Sequence, residues 1–330
     1  MYTKIKDNDK VIISHIADID GMGAVCLAKV AFKDIDFILV EVSELKDALN
    51  LVKDKNYSTV FITDLPIRED SINIINSNEI LKEKIVHFDH HSSEVSNNDY
   101  SFINVVTTKD GISTCGTSLF YDYLKSIYNI PLLDKDYTQE FVELVRSYDT
   151  YDWKKEKNIA ARDLTTLFTV IGHEEFIDKY YHEIVINEKH FNFTKNDRFL
   201  IDTKDKEVEN YINLCDEKLI RMSLHGYDVG VSISENYRSE VGNYLSEKYK
   251  DELKFILIIN FMRNSFSLRT VRNDIDLGEF AKKITSLAGG QKKAAGMPIN
   301  SETMWILEKT NQTLVNGLEK EKTFVKTANK

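Results

Sequence analysis

Ile85-Val86-His87-Phe88-Asp89-His90-His91 is an apolar run that ends in an acid and two imidazoles. Ile85 to Phe88 has the composition of a buried strand end, and the three residues beyond it each prefer water or a charged partner. Burying three such groups in succession is costly unless they are paired or ligate a metal. The triplet therefore points to metal binding or catalysis at the end of a strand.

Upstream, three more apolar runs share that design. Val11 to His15, Phe37 to Val40 and Thr59 to Thr63 read as strands. They alternate with helical segments at Ala24–Phe32, at Ser43–Lys53 with Ser43 as the expected cap, and at Asp70–Leu81. Strands alternating with helices at this spacing predict a doubly wound parallel sheet of the α/β class. In such sheets functional groups gather beyond the carboxyl ends of the strands. Here the first strand ends in His15-Ile16-Ala17-Asp18-Ile19-Asp20, the third in Asp64 and the fourth in Asp89-His90-His91. Taken singly, Asp64 before Leu65-Pro66 suits a turn, and Asp20-Gly21 suits a helix start. Together, four carboxylates and three imidazoles on one edge repel one another unless cations neutralise them. A mixed His/Asp set suits manganese or a similar first-row ion better than calcium, which takes all-oxygen ligands.

After His91 come a polar loop, a candidate edge strand at Phe102–Val106, and a helix over Thr114–Tyr128. At that helix start, Ser113-Thr114 and Gly116-Thr117 can cap it or offer amides to an anion. A helix from Tyr137 to Ser147 leads to Asp149 and Asp152, either of which is a candidate for the acidic cluster. His173, His182 and His190 lack partners at ligand spacing and read as surface or packing residues. Asn196–Leu224 reads as a long connecting helix. Beyond it are a strand (Tyr227–Ile233), a helix (Ser239–Tyr249), a strand pair (Phe255–Phe261, Ser265–Thr270) and a helix near Leu277–Leu287. From Arg263 to Lys293 there are seven basic residues against three acidic ones, an inversion within a chain of net charge −10. Gly289-Gly290 before Lys292-Lys293 suits close backbone approach to a phosphate. The charged tail from Glu319 to Lys330 is expected to fray.

The bulk numbers exclude several classes. At 330 residues the chain has room for two domains, and net −10 disfavours broad binding to duplex nucleic acid. No apolar run is long enough to span a bilayer, and Met1–Lys10 lacks an apolar signal segment, so a cytoplasmic protein without membrane partners is expected. Three scattered cysteines suggest neither a disulfide framework nor a zinc site.

These residues together resemble the DHH phosphoesterase family with its accompanying DHHA1 domain, in particular its oligoribonuclease or nanoRNase-like members. Asp18-Ile19-Asp20-Gly21, Asp64, Asp89-His90-His91 and Asp149 are similar to its four N-terminal motifs. Ser267-Leu268-Arg269-Thr270 and Gly289 to Gly296 are similar to the substrate-binding domain. The resemblance implies a catalytic DHH domain at 1–190, a helical linker at 191–224 and a smaller α/β DHHA1 domain at 225–330. It implies two divalent ions, taken as Mn²⁺. His15, Asp18 and Asp64 would hold one, and Asp20, Asp64, His90 and Asp149 the other. His91 would meet the substrate phosphate, and Asp89 would orient His90 from behind. Arg269, Gly289, Gly290, Gln291, Lys292 and Lys293 would bind a terminal nucleotide, with Gln291 standing where the family usually carries histidine. The implied activity is hydrolysis of short single-stranded oligonucleotides. A small-nucleotide phosphodiesterase or phosphatase, or an inactive nucleotide sensor, is the alternative, and a homodimer is compatible with each.

Overall fold

The computed structural model describes residues 1–328, with side chains described through residue 316; the charged tail from Glu319 lies outside the latter. The chain divides into two compact units, Met1–Asp202 and Thr203–Lys330.

The first unit is built on a five-stranded sheet of β1 (Tyr2–Lys4), β2 (Lys10–His15), β3 (Asp36–Val40), β4 (Thr59–Thr63) and β5 (Ile85–Phe88), in the order β1-β3-β2-β4-β5. Strands β2 to β5 are parallel, as the alternation with helices predicts, while β1 adds an antiparallel edge. Side chains of a strand alternate between faces, and each face has its own core. Ile12, Phe37, Leu39, Phe61 and Phe88 pack beneath α1 (Ile19–Phe32), α5 (Gly116–Ile127), α6 (Asp136–Asp149) and α8 (Ile159–Ile186). Val11, Ile13, Ile38, Val40, Val60 and Ile62 pack against α2 (Leu45–Val52), α3 (Glu69–Asn76) and α4 (Glu79–Lys84). The chain passes from central β2 to β3 over one face of the sheet, then returns past β2 to β4 over the other. The carboxyl ends of β2 and β4 therefore flank a switch point, where such folds place their sites.

Several local expectations are corrected. Ser43 does not cap α2; it lies in a 3-10 turn, Val42–Glu44, where the Glu44 carboxylate accepts the Glu41 N–H at 3.0 Å. The helix expected over 70–81 is two helices, because Asn78 turns extended and its side chain accepts the Leu81 amide, starting α4 afresh. Phe102–Val106 forms no strand, only a single bridge between Asp89 and Val105. This unit also holds a two-stranded ribbon, β6 (Thr108–Lys109) and β7 (Ile112–Ser113), 3-10 helices at Ser92–Asp99 and Pro131–Asp134, and a short α7 (Asp152–Glu156).

Helix α9 (Lys195–Glu217) carries the chain into the second unit. It ends short of the expected Leu224, since Ile220, Met222 and Leu224 alternate with exposed Arg221 and Ser223 and form a strand, β8 (Ile220–Leu224). With β9 (Tyr227–Ile233), β10 (Phe255–Asn260), β11 (Ser265–Arg269), β12 (Gly289–Gln291) and β13 (Ala294–Pro298), it makes a mixed sheet ordered β12-β13-β11-β10-β9-β8. Helices α10 (Arg238–Lys248), α11 (Leu277–Lys282) and α12 (Met304–Ala328) complete the unit. The glycines singled out at 289 and 290 lie in a β-hairpin, and the helix expected to reach Leu287 stops at Lys282. No helix among the described residues is long and apolar enough to cross a membrane.

Candidate metal centre

Each acidic or imidazole side chain at the switch point is delivered by a strand end or a helix end. Asp18 caps α1, its carboxylate accepting the amides of Asp20 and Gly21. Ser14 at the end of β2 ties that first helical turn down, donating to the Gly21 carbonyl at 2.8 Å. Asp64 follows β4 in a left-handed conformation, φ 54°, a region that Asp tolerates better than most residues, and its N–H continues the ladder to the Phe88 carbonyl. Asp149 ends α6. Tyr151, also left-handed, then redirects the chain so that Asp152 heads α7 and pairs with Arg146 at 2.9 Å. Of the two candidates, Asp149 reaches the cluster and Asp152 does not.

The groups converge in two overlapping sets. His15 Nδ1 lies 2.9 Å from Asp18 Oδ2 and 3.3 Å from Asp64 Oδ2. His90 Nε2 lies 3.3 Å from Asp64 Oδ1, 3.4 Å from Asp149 Oδ2 and 3.7 Å from Asp20 Oδ2. Asp64 belongs to both, one oxygen turned to each imidazole. His15 Nδ1, Asp64 Oδ2 and Asp149 Oδ2 are buried and make no hydrogen bond of acceptable geometry. Buried polar atoms are almost always bonded, so orphaned atoms in both sets, His15 Nδ1 and Asp64 Oδ2 in the first and Asp149 Oδ2 in the second, fit cations as their missing partners.

Electrostatics point the same way. Burial opposes a charged His15, yet the Asp18 and Asp64 carboxylates outweigh it and raise its pKa to about 11. Burial lowers His90 as well, and Asp64, Asp20 and Asp149 together raise it above the ordinary histidine range. Asp64 and Asp149 are both pushed up, first by burial and then by the charge of Asp20. The cluster thus draws protons to offset its negative charge, and divalent cations would supply that charge instead. Two imidazole nitrogens with carboxylate oxygens suit a first-row divalent ion rather than calcium, and the residues fit the metals that the sequence implied.

Asp20 shows how tightly the centre is built. Its carboxylate accepts the Gly116 amide at 2.6 Å and the Thr117 amide at 2.7 Å, the first two of α5. The anion at that helix start is therefore the protein's own, and the cap is Cys115, whose sulfur accepts the Ser118 amide. A Cβ on Gly116 would lie 2.9 Å from the Asp64 Cβ and amide nitrogen, so only glycine lets α5 approach this closely.

One expected role changes hands. Asp89 bonds His91, not His90: its fully buried carboxylate meets His91 Nδ1 at 2.7 Å. Along extended backbone, residues two apart share a face while the one between points the other way. Asp89 and His91 therefore meet, and His90 turns toward Asp20, Asp64 and Asp149. The pairing raises the His91 pKa, and His91 remains 43% exposed at the mouth of the site. His87, one face further back, is almost fully buried; Nε2 donates to the Leu65 carbonyl at 2.9 Å and Nδ1 accepts the Asn104 amide at 3.1 Å. It braces the loops carrying Asp64 and Asp89. Glu41, 3.6 Å from His15 Nε2, was missed by sequence reasoning. It follows Val40 at the end of β3, so applying the strand-end rule to all four parallel strands would have found it.

In the second unit, Arg269, Gly289 and Gly290 line a groove of about 510 Å³ together with Arg238, Arg263 and Ser267. Gln291, Lys292 and Lys293 lie on the adjoining hairpin and do not line it. Gly290 has φ 143°, a conformation that a side chain would strain. Arg238, the first residue of α10, was not singled out from sequence because it lies far from the basic stretch.

Comparison with known proteins adds to this picture. Residues 10–147 match the DHH family, N-terminal domain. Oligoribonuclease NrnB of Bacillus subtilis (strain 168) is 32% identical over 292 residues, covering 86% of this chain and 72% of that protein. Several solved structures resemble the fold, two of them as follows. The DHH domain of a member of the s1p family of ribosomal proteins has a TM-score of 0.56 at 16% identity, covering 94% of this chain and 87% of that one. A pGpG-specific phosphodiesterase of Vibrio cholerae has a TM-score of 0.54 at 12% identity, covering 94% and 99%.

Proposed function

The chain belongs to the DHH family, and on that premise we propose that it is a metal-dependent phosphodiesterase that hydrolyses short oligonucleotides. The observation that carries this reading is the pair of ligand sets sharing Asp64 at one sheet edge. In it, His15, Asp18 and Asp64 hold one divalent ion, and Asp20, Asp64, His90 and Asp149 hold a second. Manganese fits the mixed nitrogen and oxygen donors. Bound divalent ions supply Lewis acidity at a phosphate and a nucleophile near neutral pH.

The remaining work falls to the protein's own side chains. Asp64 spans the two sets with its two oxygens. The α5 amides hold Asp20 against rotation. His91 Nδ1–H donates to Asp89, and in the imidazolium that this pairing favours, Nε2–H would donate to a phosphate oxygen. Asp89 is thus a positioning residue for His91. We assign the first unit to catalysis and the second to substrate binding. The guanidinium groups of Arg238, Arg263 and Arg269 would hold the terminal nucleotide's phosphate, with Gly289 and Gly290 allowing close backbone approach. The 32% identity to an oligoribonuclease supports RNA as the substrate.

The test is a panel of di- to decanucleotides, cyclic dinucleotides and bisphosphorylated adenosine, assayed with Mn²⁺ and Mg²⁺. Turnover of the shortest RNAs is expected, and its loss in Asp64→Asn, a substitution that keeps the left-handed backbone accessible. Absence of turnover on any phosphoester while metal is bound would overturn the reading.

A further inference from the structure

Helix α8 is interrupted once, at Gly172, where φ is 78° and ψ −179°. Only glycine occupies that region readily, and such outliers persist where the surrounding structure enforces them. Space is not the reason for glycine here, because a Cβ would meet nothing within 4 Å. The requirement is for the backbone conformation itself, and what it achieves is visible at the next residue.

His173 leaves the interruption with its Nε2 3.0 Å from the Ile16 carbonyl, 157 residues away in sequence. A carbonyl only accepts, so Nε2 carries the proton of this bond. The ring lies edge-on to Phe168 at 5.5 Å, which fixes its orientation from the preceding turn. The Ile16 N–H in turn donates to the Val40 carbonyl at 3.0 Å. The residue is thus held from both sides, its N–H by β3 and its C=O by α8. Ile16 and Ala17 are the whole span between His15 and Asp18, two members of the first ligand set.

We propose that His173 is a positioning residue for the set of His15, Asp18 and Asp64, and that the Gly172 interruption exists to aim it. This inference rests on the two-metal reading above. His15 and Asp18 adjoin the Ile16–Ala17 span, whereas Asp20, His90 and Asp149, which join the shared Asp64 in the second set, do not, so the larger effect falls on one of two binding events.

Calorimetric titration of the metal-free full-length protein with Mn²⁺ tests this without reference to activity. His173→Phe keeps the ring and removes the donor; one binding event should weaken about 10- to 100-fold, the range for groups that orient metal ligands, while the other stays within about threefold of wild type. His173→Gln, which returns an N–H at similar reach, should recover most of the loss. Gly172→Ala, which leaves His173 in place but opposes the interruption, should reproduce the weakening even if His173→Phe folds poorly. Asp149→Ala should weaken the other event. Wild-type titration curves in both His173→Phe and Gly172→Ala overturn the positioning role alone. A wild-type protein that binds no Mn²⁺ overturns the two-metal reading along with it.

Discussion

Replacing Gly116 by alanine adds one methyl group at a crowded point of the centre. Its Cβ would stand 2.9 Å from both the Cβ and the amide nitrogen of Asp64, and 3.1 Å from Asp20 Oδ2. Carbon contacts relax to about 3.5–4.0 Å, so the start of α5 must withdraw by roughly 0.6–1 Å. Asp64 cannot yield instead, because its amide is bonded to the Phe88 carbonyl at the end of the sheet. A withdrawal of that size stretches the 2.6 and 2.7 Å bonds from the Gly116 and Thr117 amides to Asp20 beyond useful length. Hydrogen bonds to a charged group contribute about 1.5–3 kcal/mol each, and overpacking alone costs about 1–3 kcal/mol. With partial relaxation, a net loss of about 2 kcal/mol in stability is expected, together with Mn²⁺ affinity about 10- to 100-fold weaker. Thermal unfolding and Mn²⁺ titration measure the two effects separately. If Gly116→Ala melts and binds Mn²⁺ as wild type does, the close approach of α5 is not what holds Asp20, and the account of that carboxylate is wrong.

Three further outcomes are expected. Asp89→Asn should slow turnover roughly 10- to 100-fold with Mn²⁺ affinity nearly intact, because it loosens His91 and leaves His90 untouched; parallel loss of metal binding would return Asp89 to His90. Mn²⁺ affinity should rise with pH: His15, His90, Asp64 and Asp149 all have raised pKa values and hold protons that a metal must displace. Affinity that stays flat from pH 6 to 9 would contradict this. Arg238→Ala should raise KM for oligonucleotides about tenfold or more without changing Mn²⁺ binding, and an unchanged KM would remove Arg238 from the substrate groove.

Much of the first unit could be read from sequence because its four parallel strands are continuous apolar runs that advertise themselves. Strand β1 could not: three residues, Tyr2 to Lys4, become a strand only by pairing with β3. The hairpin of β12 and β13 was hidden for the opposite reason, since Gly289, Gly290, Ala294 and Ala295 have little strand propensity and pair because neighbouring backbone demands it. The candidate metal site was legible as a set of strand-end acids and imidazoles; the residues alone left Asp149 and Asp152 open, the family resemblance chose Asp149, and the left-handed Tyr151 is what carries Asp152 away. The partner of Asp89 was misjudged, although strict alternation along an extended segment already pairs it with His91. The amides of Gly116 and Thr117 were noticed as an anion site, but nothing local could reveal that the anion was Asp20, nearly 100 residues earlier.

The two faces of the first sheet differ in how freely they can vary. Helices α1, α5 and α6 all pack on one face, and between them they bring Asp18, Asp20, the Asp20-binding amides and Asp149. Helices α2, α3 and α4 cover the other face and bring no candidate ligand. Beneath the first group, a repacking that moves a helix by half an ångström also moves a ligand. Beneath the second, Val60, Ile62, Leu49 and Ile75 answer only to volume and hydrophobicity, which cores accommodate through many combinations. Lineages of this fold should therefore diversify, and engineers should stabilise it, through the α2–α4 side, where sequence can drift while the metal geometry stays still.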